Sequence, residues 1–424
     1  MISATPPVAA CTNSASDDHG VNDAIASLLS AKSVRERASE LLRLAERGEL
    51  EHFTVDRSRE VDLVNFVVEV LRARYPDLKV PLHSRWRHFE VAGQSRWPEI
   101  SRAIISPDPL EPGRVAFELA ITSVLLDAGA GSAWRYIDRN GLESTRSEGL
   151  ALASFDAFAN GLFSTSGLAR ADAEGLRGLD SGALASAFQV RADNPLVGME
   201  GRARLLRALG DAVAQQPAYF ATPDGARLGG LCDYLIGKST LAPLRADDVL
   251  NTVLLSLGRI WPGRLELAGT NLGDVWHHAG IVRDDITHGL MPFHKLSQWL
   301  TYSLLEPLEW VGVHVGALDG LTGLAEYRNG GLLIDMGLVV PRDGALLKVK
   351  HQPHDGCIVE WRALTVALLD ELAEGVRTAL GVDATALPLA SVLEGGTWAA
   401  GRALAQRLRA GLPPLQIESD GTVF

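Results

Sequence analysis

VNDAIASLLSAKSVRERASELLRLAERGEL, Val21 to Leu50, sets apolar residues three and four apart with charges between them. That is the period of an α-helix burying one face, not the alternation of a strand. A second stretch, DRSREVDLVNFVVEVLRARYP from Asp56 to Pro76, repeats the pattern. Asp56 offers a side-chain acceptor to the first free amides, and Pro76 ends the run. Working outward, the same spacing predicts helices over Arg114–Ala128, Glu148–Ala159, Ala169–Leu176, Met199–Gln215, Gly229–Leu235, Ala246–Leu257, Phe293–Trp310, Val359–Leu380 and Thr397–Ala410.

Strand signals are scarce. WRYIDRNGLESTRS predicts a hairpin across Arg139-Asn140-Gly141, and LLIDMGLVV a short strand. The expected fold is therefore mainly α, a compact multi-helix fold with at most a few short strands. Residues 1–20, rich in Ser, Thr, Pro and Asp, read as a flexible N-terminal tail, and 21–424 as a single helical domain. A sub-lobe boundary is expected near 162–184, where Ser, Ala and Gly concentrate.

The chain has 424 residues, 46% of them hydrophobic and 22% charged, which gives a globular protein ample core. Its net charge of −12 repels phosphate backbones, so nucleic acid is not an expected partner. Cys11, Cys232 and Cys357 are too scattered to form a disulfide framework, and a reduced, cytoplasmic setting is expected. VAAC at Val8–Cys11 resembles a lipoprotein processing site, but no basic residue precedes it and its apolar run is short. No window holds the ~18 uninterrupted apolar residues of a membrane span, so no membrane association is expected.

Several motifs fail a physical test. VLLDAGAGSAW, Val124–Trp134, resembles a glycine loop for a nucleoside cofactor, but the residues before it run at helical spacing and the third glycine is missing. A helix ending on glycine is the simpler reading. No P-loop pattern and no G-x-S-x-G elbow is present. HQPHDGC places His351, His354 and Cys357 at three-residue intervals, a zinc-ligand set if a turn brings them together, or else a solvated loop. The adjacent histidines of WHHAG, Trp276–Gly280, point apart on a helix.

Three stretches carry more chemistry than scaffolding requires. PLHSRWRHFEVAGQSRW, Pro81–Trp97, gathers Arg85, Trp86, Arg87, His88 and Phe89 into a wall able to hold an anion and stack a flat group. MPFHKLSQWLTYSLLEPLEW, Met291–Trp310, places Lys295 in the first turns of a helix, the end that favours anions, so a carboxylate partner is expected from elsewhere. LTGLAEYRNGGLLID, Leu321–Asp335, offers that carboxylate as Glu326, 31 residues after Lys295, at a helix end before a Gly330-Gly331 turn. Tyr327 and Arg328 adjoin it. A further acid–aromatic–base triplet, Glu360-Trp361-Arg362, stands at a helix start as either a cap or a site.

LHSRWRHFE, ELAITSVLLDAGAGSAWRY, RSEGLALASFDAF, NPLVGMEGR, LTGLAEYRNGGLLIDMG and VEWRALTVALLDEL together resemble the uracil-catabolism protein family of the Urc/Urg type, over about Val21 to Arg409. That resemblance implies a place in pyrimidine degradation, where a cyclohydrolase-like enzyme opens the ring of a uracil nucleotide and ribosylurea appears as an intermediate. Association with other pyrimidine-degradation enzymes is implied as well. The Lys295 helix followed by LAEYRNGG is also similar to the lysine helix and Asp-Tyr-Arg segment of queuosine-nucleotide N-glycosidases. Those enzymes have a helical fold akin to helix-hairpin-helix DNA glycosylases.

This second similarity implies Lys295 and Glu326 as a catalytic pair, with Glu in place of Asp. The expected activity is hydrolysis of ribosylurea, or its 5′-phosphate, to urea and ribose or ribose phosphate, with no cofactor. Asp335 and Glu360 are reserve acids for the leaving nitrogen. Arg85, Arg87 and Arg328 are candidates for a phosphate, and Trp86, His88, Phe89, Tyr327, Trp361 and Arg362 for the rest of the substrate. The alternatives are a metal-dependent amidohydrolase using His351, His354 and Cys357, and a non-catalytic partner of the ring-opening enzyme.

Overall fold

The computed structural model describes residues 15–261 and 265–418. Its helices include α1 (Ala15–Leu28), α2 (Ala31–Glu46), α3 (Glu60–Arg74), α4 (Glu111–Leu125), α5 (Arg146–Ala159), α6 (Met199–Gln215), α7 (Ala246–Leu257), α8 (Lys295–Trp310), α9 (Tyr327–Asp335), α10 (Gly356–Leu380) and α11 (Trp398–Arg409). Strands are two or three residues long and form only two-stranded pairs. The protein is mainly α, as its periodicity predicts. α1 begins inside the stretch read as a tail, at Ala15. Residues 1–14 of that stretch, Cys11 and VAAC among them, lie outside the described residues.

α10 is the axis of the fold. Every residue from Cys357 to Leu369 on it is buried, the mark of a helix surrounded by others rather than lying on a surface. α2, α3 and α9 pack against it, α11 packs on α9, and α4, α5, α7 and α8 pack on one another as a second group. One core cluster runs through both groups and includes Phe163, Leu176 and Leu184 of the 162–184 stretch. A small satellite forms around Leu28 and Val275. No helix among the described residues is long and apolar enough to cross a membrane.

The hairpin forms as predicted: Tyr136–Ile137 pairs with Glu143–Ser144, and the Asp138 carboxylate accepts from the amides of Asn140 and Leu142. LLIDMGLVV is divided instead. Its first half completes α9, and Val339–Pro341 pairs with Phe53–Val55.

The larger correction concerns Gly330 and Gly331, which sit inside α9 rather than in a turn after a helix. A Cβ at 330 would stand 2.6 Å from the Trp361 ring of α10, and one at 331 would stand 3.0 Å from Pro414. Both glycines permit close helix packing, and the Trp361 indole N–H donates to the Gly330 carbonyl at 3.0 Å. Glu326 accordingly stands at the start of a helix, not at its end.

Candidate active site

A cavity of about 250 Å³ opens between α5, α8, α9 and α11, the loop after α4 and the segment Leu412–Ile417. Lys295 and Glu326 both line it. Lys295 is the first residue of α8, and His294 before it adopts a left-handed backbone with φ 49°. The Asp274 carboxylate accepts the Lys295 backbone N–H at 3.0 Å while forking to Arg362 at 2.8 Å through each oxygen. The helix start is thereby pinned, and its free amide is satisfied. Asp274 is held well below the usual carboxylate range: burial opposes the charge, but Arg362 and the other donors outweigh it.

Glu326 is the N-cap of α9, its two carboxylate oxygens accepting from the amides of Arg328 at 2.8 Å and Asn329 at 2.6 Å. A glutamate here is outside the usual Ser, Thr, Asp and Asn set, but it performs the same task. Burial pushes the Lys295 amine below the ordinary lysine value, against the attraction of Glu326 and Asp127. Lysine and glutamate attract across the hollow without an ion pair between them. Lys295 Nζ lies 5.7 Å from the centre of the Trp299 ring.

The walls are aromatic. Trp299 and Trp398 flank His83 at ring distances of 6.2 and 5.7 Å, and flank His88 at 5.7 and 5.9 Å. The Trp299 indole N–H is buried without an acceptor among the described residues, a donor for an arriving carbonyl or hydroxyl. His83 Nδ1 sits 2.8 Å from a carboxylate oxygen of Glu394, which lies on the π-helical turn Val392–Thr397. Behind the wall, Arg85 donates to Asp127 and Ser123 at 2.7 Å, and Ser147 donates to Asp127 at 2.7 Å. Burial raises the Asp127 carboxyl, with Arg85 opposing. Burial, then the Arg85 charge, pushes His88 well below the ordinary histidine value, so its imidazole is neutral.

The structure distributes the remaining predicted residues as follows. Tyr327, Arg328 and His88 line the cavity with the pair. Arg85 stands one layer back through Asp127, and Arg87 is taken by Glu90 and Glu306. The Trp86 indole N–H donates to Ser303 and its ring packs on Phe89, both buried in the core. Asp335 pairs with Arg409, and Arg362 with Asp274. Glu360 accepts from the backbone of Glu51 and His52 and meets the His52 and His278 rings, away from the cavity. Its triplet is interior to α10, not a cap.

The zinc-ligand set does not converge. His351 lies 3.4 Å from Cys357, both buried, whereas His354 stands in solvent beside Asp355. Among the described residues no three His, Cys, Asp or Glu side chains are grouped to hold a metal ion.

The family described as "Protein of unknown function (DUF1688)" matches residues 27–424. The chain belongs to the DUF1688 family. Two relatives resemble it along nearly their whole length. Protein urg3 of Schizosaccharomyces pombe (strain 972 / ATCC 24843) is 39% identical over 417 residues, 95% of this chain and 99% of that protein. Uracil catabolism protein 4 of Lachancea kluyveri is 36% identical over 444 residues, 95% of this chain and 100% of that protein.

Sequence reasoning did not single out six contributors to the DUF1688 cavity: His83, Asp127, Arg146, Ser147, Trp299 and Trp398. Asp127 carried a usable signal, a carboxylate ending the run LAITSVLL. Gly129 and Gly131 after it line the cavity wall.

Proposed function

We propose that this chain acts in uracil catabolism as an N-ribosidase, releasing urea from ribosylurea or its 5′-phosphate. The name of the Lachancea kluyveri relative, uracil catabolism protein 4, supports the pathway. The observation that carries the reaction is that Lys295 and Glu326, from separate helices, enter one aromatic-walled cavity. Cleavage of an N-ribosidic bond builds positive charge near C1′. A carboxylate already fixed by two amides meets that charge without reorganising, which is the efficient form of electrostatic catalysis. Glu326 takes this role and guides the attacking water.

Lys295 faces the departing nitrogen. An ammonium made more acidic by burial is a better proton donor to a poor leaving group than an ordinary lysine. Trp398 offers a face to the planar urea, and the Trp299 N–H offers a donor to its carbonyl. Asp127 and Arg85 hold the wall behind them. Asp335 and Glu360, engaged elsewhere, have no part in this scheme.

The direct test is incubation of the purified protein with synthetic ribosylurea and with its 5′-phosphate. Free urea is expected from at least one of them. Absence of urea from both, with folding intact, overturns the reading.

A further inference from the structure

We propose that Arg328 and Arg146 form an anion subsite in the cavity, and that the substrate is a phosphate monoester rather than a free riboside. This deepens the ribosidase reading and rests on it for the identity of the sugar. Arg328 is 5% exposed, yet its guanidinium makes no hydrogen bond or ion pair with any described residue. It lies only against rings, 5.2 Å from the centre of Tyr327 and 5.2 Å from that of Trp398. A buried guanidinium without an anion is costly, and proteins retain one where a ligand supplies the charge.

Arg146 lines the same cavity and, among the described residues, donates only to the Gly411 carbonyl, at 2.6 Å, which leaves its other donors without a described partner. It opens α5 with φ 54°, a left-handed backbone that disfavours arginine and that is kept where function requires it. The nearby carboxylate, Glu148, is taken by Arg402. Tyr327, whose ring centre lies 5.2 Å from the Arg328 guanidinium, lines the cavity together with both arginines.

The cavity's own anions are already engaged. Asp127 is held by Arg85, and Glu326 by backbone amides. The unmatched charge is therefore positive, and two planar forks approaching from different helices suit the several oxygens of a phosphate. Lys295 and Glu326 line the same cavity and remain available for the glycosidic bond.

The test is calorimetric titration of the full chain with ribose 5-phosphate, ribose and inorganic phosphate. Ribose 5-phosphate is expected to bind at least about tenfold more tightly than ribose, as charge-assisted contacts imply. Arg328→Gln and Arg146→Asn are each expected to erase that preference without lowering the ligand-free Tm, since asparagine tolerates a left-handed backbone. Arg328→Lys, which keeps the charge but loses the fork, is expected to fall between.

Equal binding of ribose and ribose 5-phosphate by the unmodified protein, or a preference that survives both substitutions, overturns the subsite. Equal turnover of ribosylurea and its phosphate would also remove the subsite while leaving the ribosidase standing. An arginine-dependent phosphate preference with no urea released keeps the subsite and removes the ribosidase.

Discussion

Around Arg227, buried charge is matched atom for atom. Its guanidinium reaches Glu118 at 2.9 and 3.2 Å and Glu111 at 2.9 Å. Glu118, fully buried, also accepts from the amides of Ala171 and Gly229. Around Arg328, an equally buried guanidinium meets ring faces and open space. The first network ties α4 to the segment before Gly230 with its donors partnered by carboxylates; the second leaves donors waiting. Buried charge marks a site only where its partner is missing, so a count of buried ion pairs does not identify function.

The largest expected effect breaks the matched network. Arg227→Met leaves the buried Glu118 without its cation, while Glu111 keeps Arg114 and Arg170, and should cost about 3–5 kcal/mol of unfolding free energy in a denaturant titration. Ribose 5-phosphate binding should be unchanged in the fraction that remains folded. The second acts in the cavity. Glu326→Gln should lower turnover roughly 10²–10³-fold while costing only about 1 kcal/mol of stability from the weakened cap. Near-normal turnover with that same stability loss would reduce Glu326 to a helix cap.

The third sharpens the contrast. Lys295→Met should raise stability by about 1 kcal/mol while abolishing turnover, because functional charge is kept at a cost to the fold. Lys295 has its folded pKa lowered by burial, so its ammonium is lost as pH rises through that value. Turnover should decline on the alkaline side below the ordinary lysine range. Between the lowered value and the unfolded one, the unfolded chain holds the extra proton, so this residue's penalty on stability fades as pH rises.

The smallest effect at neutral pH belongs to His88, whose folded pKa is also depressed. As pH falls below about 6.5, the unfolded chain takes up a proton that the native cavity refuses, and stability declines. His88→Asn should flatten that acid limb by up to about 1.4 kcal/mol per pH unit, measured as Tm against pH.

That Lys295 and Glu326 share one cavity was legible because one residue was misplaced for its helix end and the other sat among chemistry-rich neighbours. Glu326's capping task was not, since glutamate is an uncommon N-cap and the two glycines imitate a turn. Asp335 and Glu360 looked equally available as acids, but a helix presents each residue to one side only. Asp335 faces Arg409, and Glu360 faces His52 and His278. His83, Trp299 and Trp398 carry no local signal, because an aromatic at helical spacing reads as core until its neighbours are known.

Periodicity, caps and the absence of long alternating runs determined by themselves that this chain is helical, because hydrophobic spacing and backbone preference act over a few residues. Which charges stay unmatched was decided only when segments hundreds of residues apart in sequence closed on one hollow. Burial sets the cost of a charge, and its partner offsets that cost; both are properties of the packed molecule, and neither is written in any one stretch of chain.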